Sequence, residues 1–221
     1  MENNVSVIIP AFNEEESIGK VVQISKECKK VNQVIVVDNN STDNTIKEAK
    51  KEGAEIVNCE MQGKGLAMEE GIKVAQNDIV VFLDADILNY REDIVELLIS
   101  PIVNKEVDFV KSTFNRITGG NVTRIAVQPL LKLLFPDLYK FQEPLSGMIA
   151  GRKKIFEKIK FEPDYGVDIG IVLDLYNMGI QMKEVNIGEI LNMSHNTKDI
   201  EKMQQMSYEV MRTIIKKSKE I

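Results

Sequence analysis

Four short apolar runs, at residues 5–9, 33–37, 54–58 and 79–83, alternate with segments whose apolar positions recur at helical spacing. Three of them are rich in valine and isoleucine with few polar residues, the pattern of strands buried on both faces. Between the first two, Ile18, Val21, Val22 and Ile24 make one apolar helix face. Further helices are predicted near 43–53 and 65–74, each opened by turn or cap residues. This rhythm predicts an α/β fold, a mostly parallel Rossmann-like sheet with helices on both faces. At 221 residues, a single domain is expected.

The second half is less regular. A helix near 92–103 precedes a strand near 108–113, and the Gly119-Gly120 turn leads into a helix that stops at Pro129 or Pro136. A helix at 169–178, a strand at 182–187 and an amphipathic tail helix from 199 follow. The tail carries Met203, Met206, Val210 and Ile214 on one face, which suits packing on the core.

Composition narrows the function. A net charge of −6 and a pI near 5.1 argue against a nucleic-acid surface, so an anionic ligand must find a local cation. Cys28 and Cys59 have neither metal-ligand spacing nor a disulfide framework, which points to a reducing, cytoplasmic setting. No signal peptide and no transmembrane run are read in the sequence.

Open α/β sheets bind ligands at the carboxyl ends of their strands, so the residues after each run are the candidates. Pro10, Ala11, Asn13 and Glu14 follow the first run; they either cradle a base and ribose or form a turn whose acids favour the next helix N-terminus. Asp38 ends the second run and either accepts a hydrogen bond from a nucleobase or caps the turn through Ser41. Gly63-Lys64-Gly65 resembles a small phosphate loop, with glycines for close approach and a lysine for charge, or is a flexible turn before a helix. Asp84-Ala85-Asp86 places two carboxylates where the fourth run emerges, a pair that can share a divalent cation. Asp168 is a candidate base or sugar-hydroxyl ligand, or a helix-start acid. His195, the only histidine, is either a surface residue or a metal ligand beside Asp86.

Taken in series, Val-Ser-Val-Ile-Ile-Pro-Ala-Phe-Asn-Glu-Glu, Val-Asp-Asn-Asn-Ser-Thr-Asp and Asp84-Ala85-Asp86 resemble the GT-A type nucleotide-sugar glycosyltransferases of family 2. The motifs Asp108-Phe109-Val110-Lys111-Ser112, Gly119-Gly120-Asn121-Val122-Thr123, Glu143-Pro144-Leu145-Ser146-Gly147 and Tyr165-Gly166-Val167-Asp168, with His195 after them, are similar to the glucosyl-3-phosphoglycerate synthases, retaining enzymes of that kind.

The resemblance implies a nucleotide-sugar-binding half at 1–113, an acceptor-binding half at 114–198 and a C-terminal helix at 199–221. It implies a UDP-sugar donor, bound by Pro10, Ala11, Asn13, Glu14, Asp38, Ser41, Gly63, Lys64, Asp84 and Ala85. It implies Mg²⁺ or Mn²⁺ held by Asp86 and His195. Lys64, Asp86 and Asp168 carry the chemistry. Gly120, Asn121 and Thr123, with Leu145, Ser146 and Gly147, face a small phosphorylated acceptor such as 3-phosphoglycerate and the sugar. A homodimer is also consistent with the family.

This chain departs from that pattern in its acceptor half. Asn121 stands where the family has Arg, Met148 where it has Glu, and Asp168 where it has Glu; Met193 and Thr197 replace an Arg and an Asn around the histidine. Alternatives therefore remain open at this stage. One is an inverting family 2 transferase acting on a polyprenyl phosphate or a glycan, with Asp168 as base. Another is a non-catalytic UDP-sugar-binding protein. A sugar-nucleotide pyrophosphorylase would need a glycine-rich basic loop where 10–15 offers acids.

Overall fold

The computed structural model of the protein describes residues 4–116, 120–192 and 200–220. Its first half alternates as the sequence predicts: β1 (Val5–Ala11), α1 (Ile18–Ser25), β2 (Val31–Asp38), α2 (Thr45–Lys51), β3 (Glu55–Asn58), α3 (Lys64–Val74), β4 (Ile79–Phe82) and α4 (Ile94–Val103). The second half contains β5 (Phe109–Arg116), α5 (Gln128–Leu134), β6 (Ile149–Arg152), α6 (Lys153–Phe156), α7 (Val167–Asn177), β7 (Met182–Ile190) and α8 (Ile200–Lys217).

The strands form one seven-stranded sheet in the order β3-β2-β1-β4-β6-β5-β7. All pair in parallel except β6, which runs antiparallel to both β4 and β5. Because side chains alternate across a strand, each central strand feeds two cores. Val5, Val7, Ile9, Val34, Val36, Ile79 and Val81 face the α1 and α4 side. Ile8, Ile35, Val37, Val80 and Phe82 face the α3 and α7 side. Burial on both faces is why these runs lack the alternation of polar residues typical of a half-exposed strand.

Three features differ from the sequence reading or go beyond it. Strand β6, Ile-Ala-Gly-Arg, is unannounced: four residues with a central glycine carry no periodic signal. The helix after Gly120 runs through Pro129 and stops before Pro136. A π-helical stretch over Thr123–Val127 precedes the proline, and Gln128 N donates to Thr123 O, five residues back. That wider turn sits next to the position where proline has no N–H to give. The tail helix α8 is integral, burying Val210 and Ile214 against Ile169 and Val172 of α7 and Leu131 of α5.

Candidate active site

The order β2-β1-β4 makes β1 the point where chain connections diverge, and a crevice opens beyond its carboxyl end. The loops after β1 and β2 are laced together there. Asn13, with a positive φ of 57°, accepts at Oδ1 from Thr42 N at 2.8 Å, and its own N–H donates to Ser41 Oγ at 3.0 Å. Glu14 N donates to Thr45 Oγ1 at 2.7 Å. The Asp38 carboxylate accepts from Ser41 N at 3.3 Å, the turn-capping arrangement, while Ala11 O accepts from Asn39 N at 2.9 Å. Asn13 and Ser41 thus spend described polar atoms on holding one loop against the other. They build the floor of the crevice, with Pro10 and Ala11 at its edge.

Asn39 Oδ1 accepts from Gly63 N at 2.7 Å and so fixes the start of α3. Gly65 must be glycine, since a Cβ there would lie 1.7 Å from Glu162 O. This close approach brings α3 against the segment leading to α7. Lys64, in the first turn of α3, thereby meets Asp168 in the first turn of α7. Its ammonium donates to Asp168 Oδ2 at 2.9 Å and to Asp84 Oδ1 at 3.1 Å. Burial works against the Lys64 charge, but Asp168 and then Asp84 outweigh it and raise its pKa above the ordinary lysine value. Asp168 is itself raised, by burial first, and its Oδ1 is buried with no hydrogen-bond partner.

Asp84 is held from behind by Tyr90, whose hydroxyl accepts from Asp84 N and donates to Asp84 O, both at 3.1 Å. Asp86 lies two residues further on, and its Oδ2 accepts from Asn192 Nδ2 at 3.1 Å just beyond the end of β7. Burial, and then the Asp84 charge, push the Asp86 carboxyl up. Two carboxylates, Asp84 and Asp168, therefore hold one ammonium, Lys64, and Asp86 lies near enough to feel the charges of Asp84 and Lys64. The excess negative charge, with Asp86 hydrogen-bonded to the Asn192 amide, is the donor chemistry that suits a divalent cation. Among the described residues no three acidic, histidine or cysteine side chains converge as a complete metal site. A cation here would complete its shell from the substrate and from outside the described residues. His195, the other expected ligand, lies outside the described residues, three positions after Asn192.

The fourth wall comes from the segment before β6. A Cβ on Gly147 would lie 2.4 Å from Asp84 Oδ1 and 2.5 Å from Lys64 Nζ, so any side chain here must push the ends of the ion pair aside. Ser146 is buried and its Oγ pairs with Ser112 Oγ at 2.5 Å, while Leu145 is half-buried. Sequence reasoning missed Lys111. On β5, it is fully buried, donates to Ser146 O at 2.7 Å, and is pushed down by desolvation to about 8. A lysine directly after the apolar pair Phe109-Val110 of a strand was the available signal.

The acceptor-side residues lie along the same rim. Gly120 has φ 83°, Asn121 is exposed, and Thr123 is buried with a position on an open cavity of about 430 Å³. Gly119 lies outside the described residues. Gln142 and Glu143, four residues before Ser146 and Gly147, also line this cavity.

The mostly parallel sheet, with acids and a lysine at its switch point, has the GT-A architecture of nucleotide-sugar transferases. The family model for glycosyl transferase family 2 matches residues 6–162, and the chain belongs to that family; it is a glycosyltransferase. It is 32% identical over 234 residues to a glucosyl-3-phosphoglycerate synthase of Mycolicibacterium smegmatis, covering 96% of this chain and 76% of that one. The structure of the Mycobacterium tuberculosis glucosyl-3-phosphoglycerate synthase with Mn²⁺, uridine diphosphate and glucosyl-3-phosphoglycerate is similar with a TM-score of 0.91, 30% identity, and coverage of 98% of this chain and 80% of that one. A complex of the same synthase with Mn²⁺, UDP-glucose and phosphoglyceric acid also gives a TM-score of 0.91, at 32% identity and with the same coverage.

Proposed function

We propose that the protein transfers glucose from UDP-glucose to 3-phosphoglycerate, with retention at the anomeric carbon and with Mg²⁺ or Mn²⁺ as cofactor. The observation that carries this reading is Lys64 held between Asp84 and Asp168 at the carboxyl end of the sheet. The likeness to the mycobacterial synthases over nearly the whole chain supports the donor and acceptor.

In this reading the uracil lies against Ala11 and Asp38 and the ribose against Asp84 and Ala85. Asp86, with His195, would hold the cation, which supplies positive charge against the departing diphosphate. Lys64 stays charged, because Asp84 and Asp168 raise its pKa, and lies where a phosphate oxygen can share its donors. Gly147 leaves room for the sugar over that pair. The unpartnered Asp168 Oδ1 accepts a hydrogen bond from a sugar hydroxyl and so orients the ring. Front-face attack by the acceptor hydroxyl needs no strong enzyme base.

Among the described residues no helix is long and apolar enough to cross a membrane. That favours a small acceptor over a polyprenyl phosphate, and the free, buried Cys28 and Cys59 suit a reducing cytoplasm. The net negative charge favours catalysis on small molecules rather than on nucleic acid. A homodimer would cover the exposed Ile125 and Leu133 beside α5. UDP release tests the whole reading. It should require UDP-glucose, 3-phosphoglycerate and Mn²⁺ together; equal release without 3-phosphoglycerate would contradict the acceptor.

A further inference from the structure

The cavity between Thr123 and Gln142 contains a guanidinium, that of Arg124. Arg91, Arg152 and Arg212 are each tied to an aspartate. Arg124 lines the cavity and makes no ion pair with a described residue. Its backbone N–H donates to Gly120 O at 3.1 Å, which fixes it one turn along the helix from Asn121. Residues three apart share a helix face, so Arg124 presents its charge on the side where Asn121 offers only a neutral amide.

The polar groups around Arg124 are set for a ligand with oxygens. Gln142 takes the Thr113 hydroxyl at its Oε1, at 3.1 Å, which leaves its amide nitrogen to donate. Gln128 is fixed by donating from Nε2 to Phe141 O at 2.7 Å, and its Oε1 is buried with no partner. Glu143 also lines the cavity. A planar guanidinium with the Gln142 amide donor nearby is a fork for phosphate or carboxylate oxygens, and the free Gln128 Oε1 suits a hydroxyl of the same ligand.

We propose that Arg124 is the specificity-determining residue of the acceptor site, binding the acceptor's oxyanion, phosphate or carboxylate, in the cavity it shares with Gln128 and Gln142. This rests on the reading above that the acceptor is small and anionic. It assigns the recognition of that anion to a residue outside the Gly120-Asn121-Thr123 set. The reacting hydroxyl then points along the 142–147 segment towards Gly147 and the Lys64 pair.

The test is calorimetric binding to the intact protein with Mn²⁺ and UDP present, using 3-phosphoglycerate, glycerol 3-phosphate and glycerate as separate probes. Arg124→Ala should weaken 3-phosphoglycerate by at least about fivefold, with Arg124→Lys between it and the parent. UDP-glucose affinity, measured separately, should be unchanged, since Arg124 lies outside the donor crevice. A parallel loss for glycerol 3-phosphate identifies the phosphate as the bound group, and one for glycerate the carboxylate. A smaller loss of 3-phosphoglycerate, or a parent protein that binds UDP-glucose but none of the three acids, overturns the assignment. Failure to bind UDP-glucose counts against the donor reading instead, and the 3-phosphoglycerate comparison still decides on Arg124.

Discussion

Lys64 Nζ lies 2.9 Å from Asp168 Oδ2, joining two helix N-termini that are 104 residues apart in the chain. Both groups are largely withdrawn from water, so neither charge is tolerable without the other. Lys64→Ala is expected to destabilise the fold by about 3 kcal/mol and to abolish most transfer. The loss should depend on pH. Asp168 is already raised, and without Lys64 its folded pKa climbs further. A raised carboxyl stabilises the fold below its unfolded pKa, and that contribution is lost as pH rises through the folded value. Thermal melting of Lys64→Ala should therefore fall further below the parent at pH 8 than at pH 5.

Gly147 separates stability from function. The atoms that a new Cβ would strike, Asp84 Oδ1 and Lys64 Nζ, are the ends of side chains and can move. Gly147→Ala should cost little stability, within about 1 kcal/mol, yet weaken UDP-glucose by about tenfold or more by prising the pair apart. Melting curves and donor titrations on the same preparation check both halves.

Lys111 predicts a stability profile in alkali. Its folded pKa of about 8 lies below the ordinary lysine value of 10.5, because burial penalises the charge. Between those values the unfolded chain binds more protons than the folded one, so this group makes stability rise with pH across that window. Below pH 8 the full penalty stands, on the order of 3 kcal/mol. Lys111→Met should lack the rise between pH 8 and 10.5 seen in the parent. Urea unfolding at several pH values measures it, and parallel profiles would contradict this account of Lys111.

In the proposed reading Asp86 is the acid that faces the cation. Its carboxyl is raised by burial and by Asp84, so a neutral isostere suits the fold. Asp86→Asn is expected to melt at or above the parent temperature while losing at least about 10²-fold in kcat. Turnover unchanged by the substitution would remove Asp86 from the site.

Much of this architecture is legible in the sequence because burial on both faces writes itself as unbroken apolar runs. Residues 79–83 could only be a central strand, and the acids after it had to emerge at the sheet's carboxyl edge. Strand β6 was not legible. Its four residues are held by β4 and β5 on either side, a tertiary cause without a local signature. The partners of Lys64 were equally hidden, since Asp168 reaches it only through the close approach at Gly65. The loop-to-loop bonds of Asn13 and Ser41 were not legible either, since they join residues 28 and 29 positions apart in the chain. Arg124 carries no motif, and only the cavity around it marks it.

The most direct measurement is proton NMR of the protein with UDP-glucose, 3-phosphoglycerate and Mn²⁺, with an EDTA control. The account predicts a new glucosyl anomeric signal with the small coupling of an α-linkage, bound to the glycerate and absent with EDTA. A β-linked product would contradict retention and make Asp168 a base. No glucosylated product, with UDP-glucose intact, would contradict the central claim.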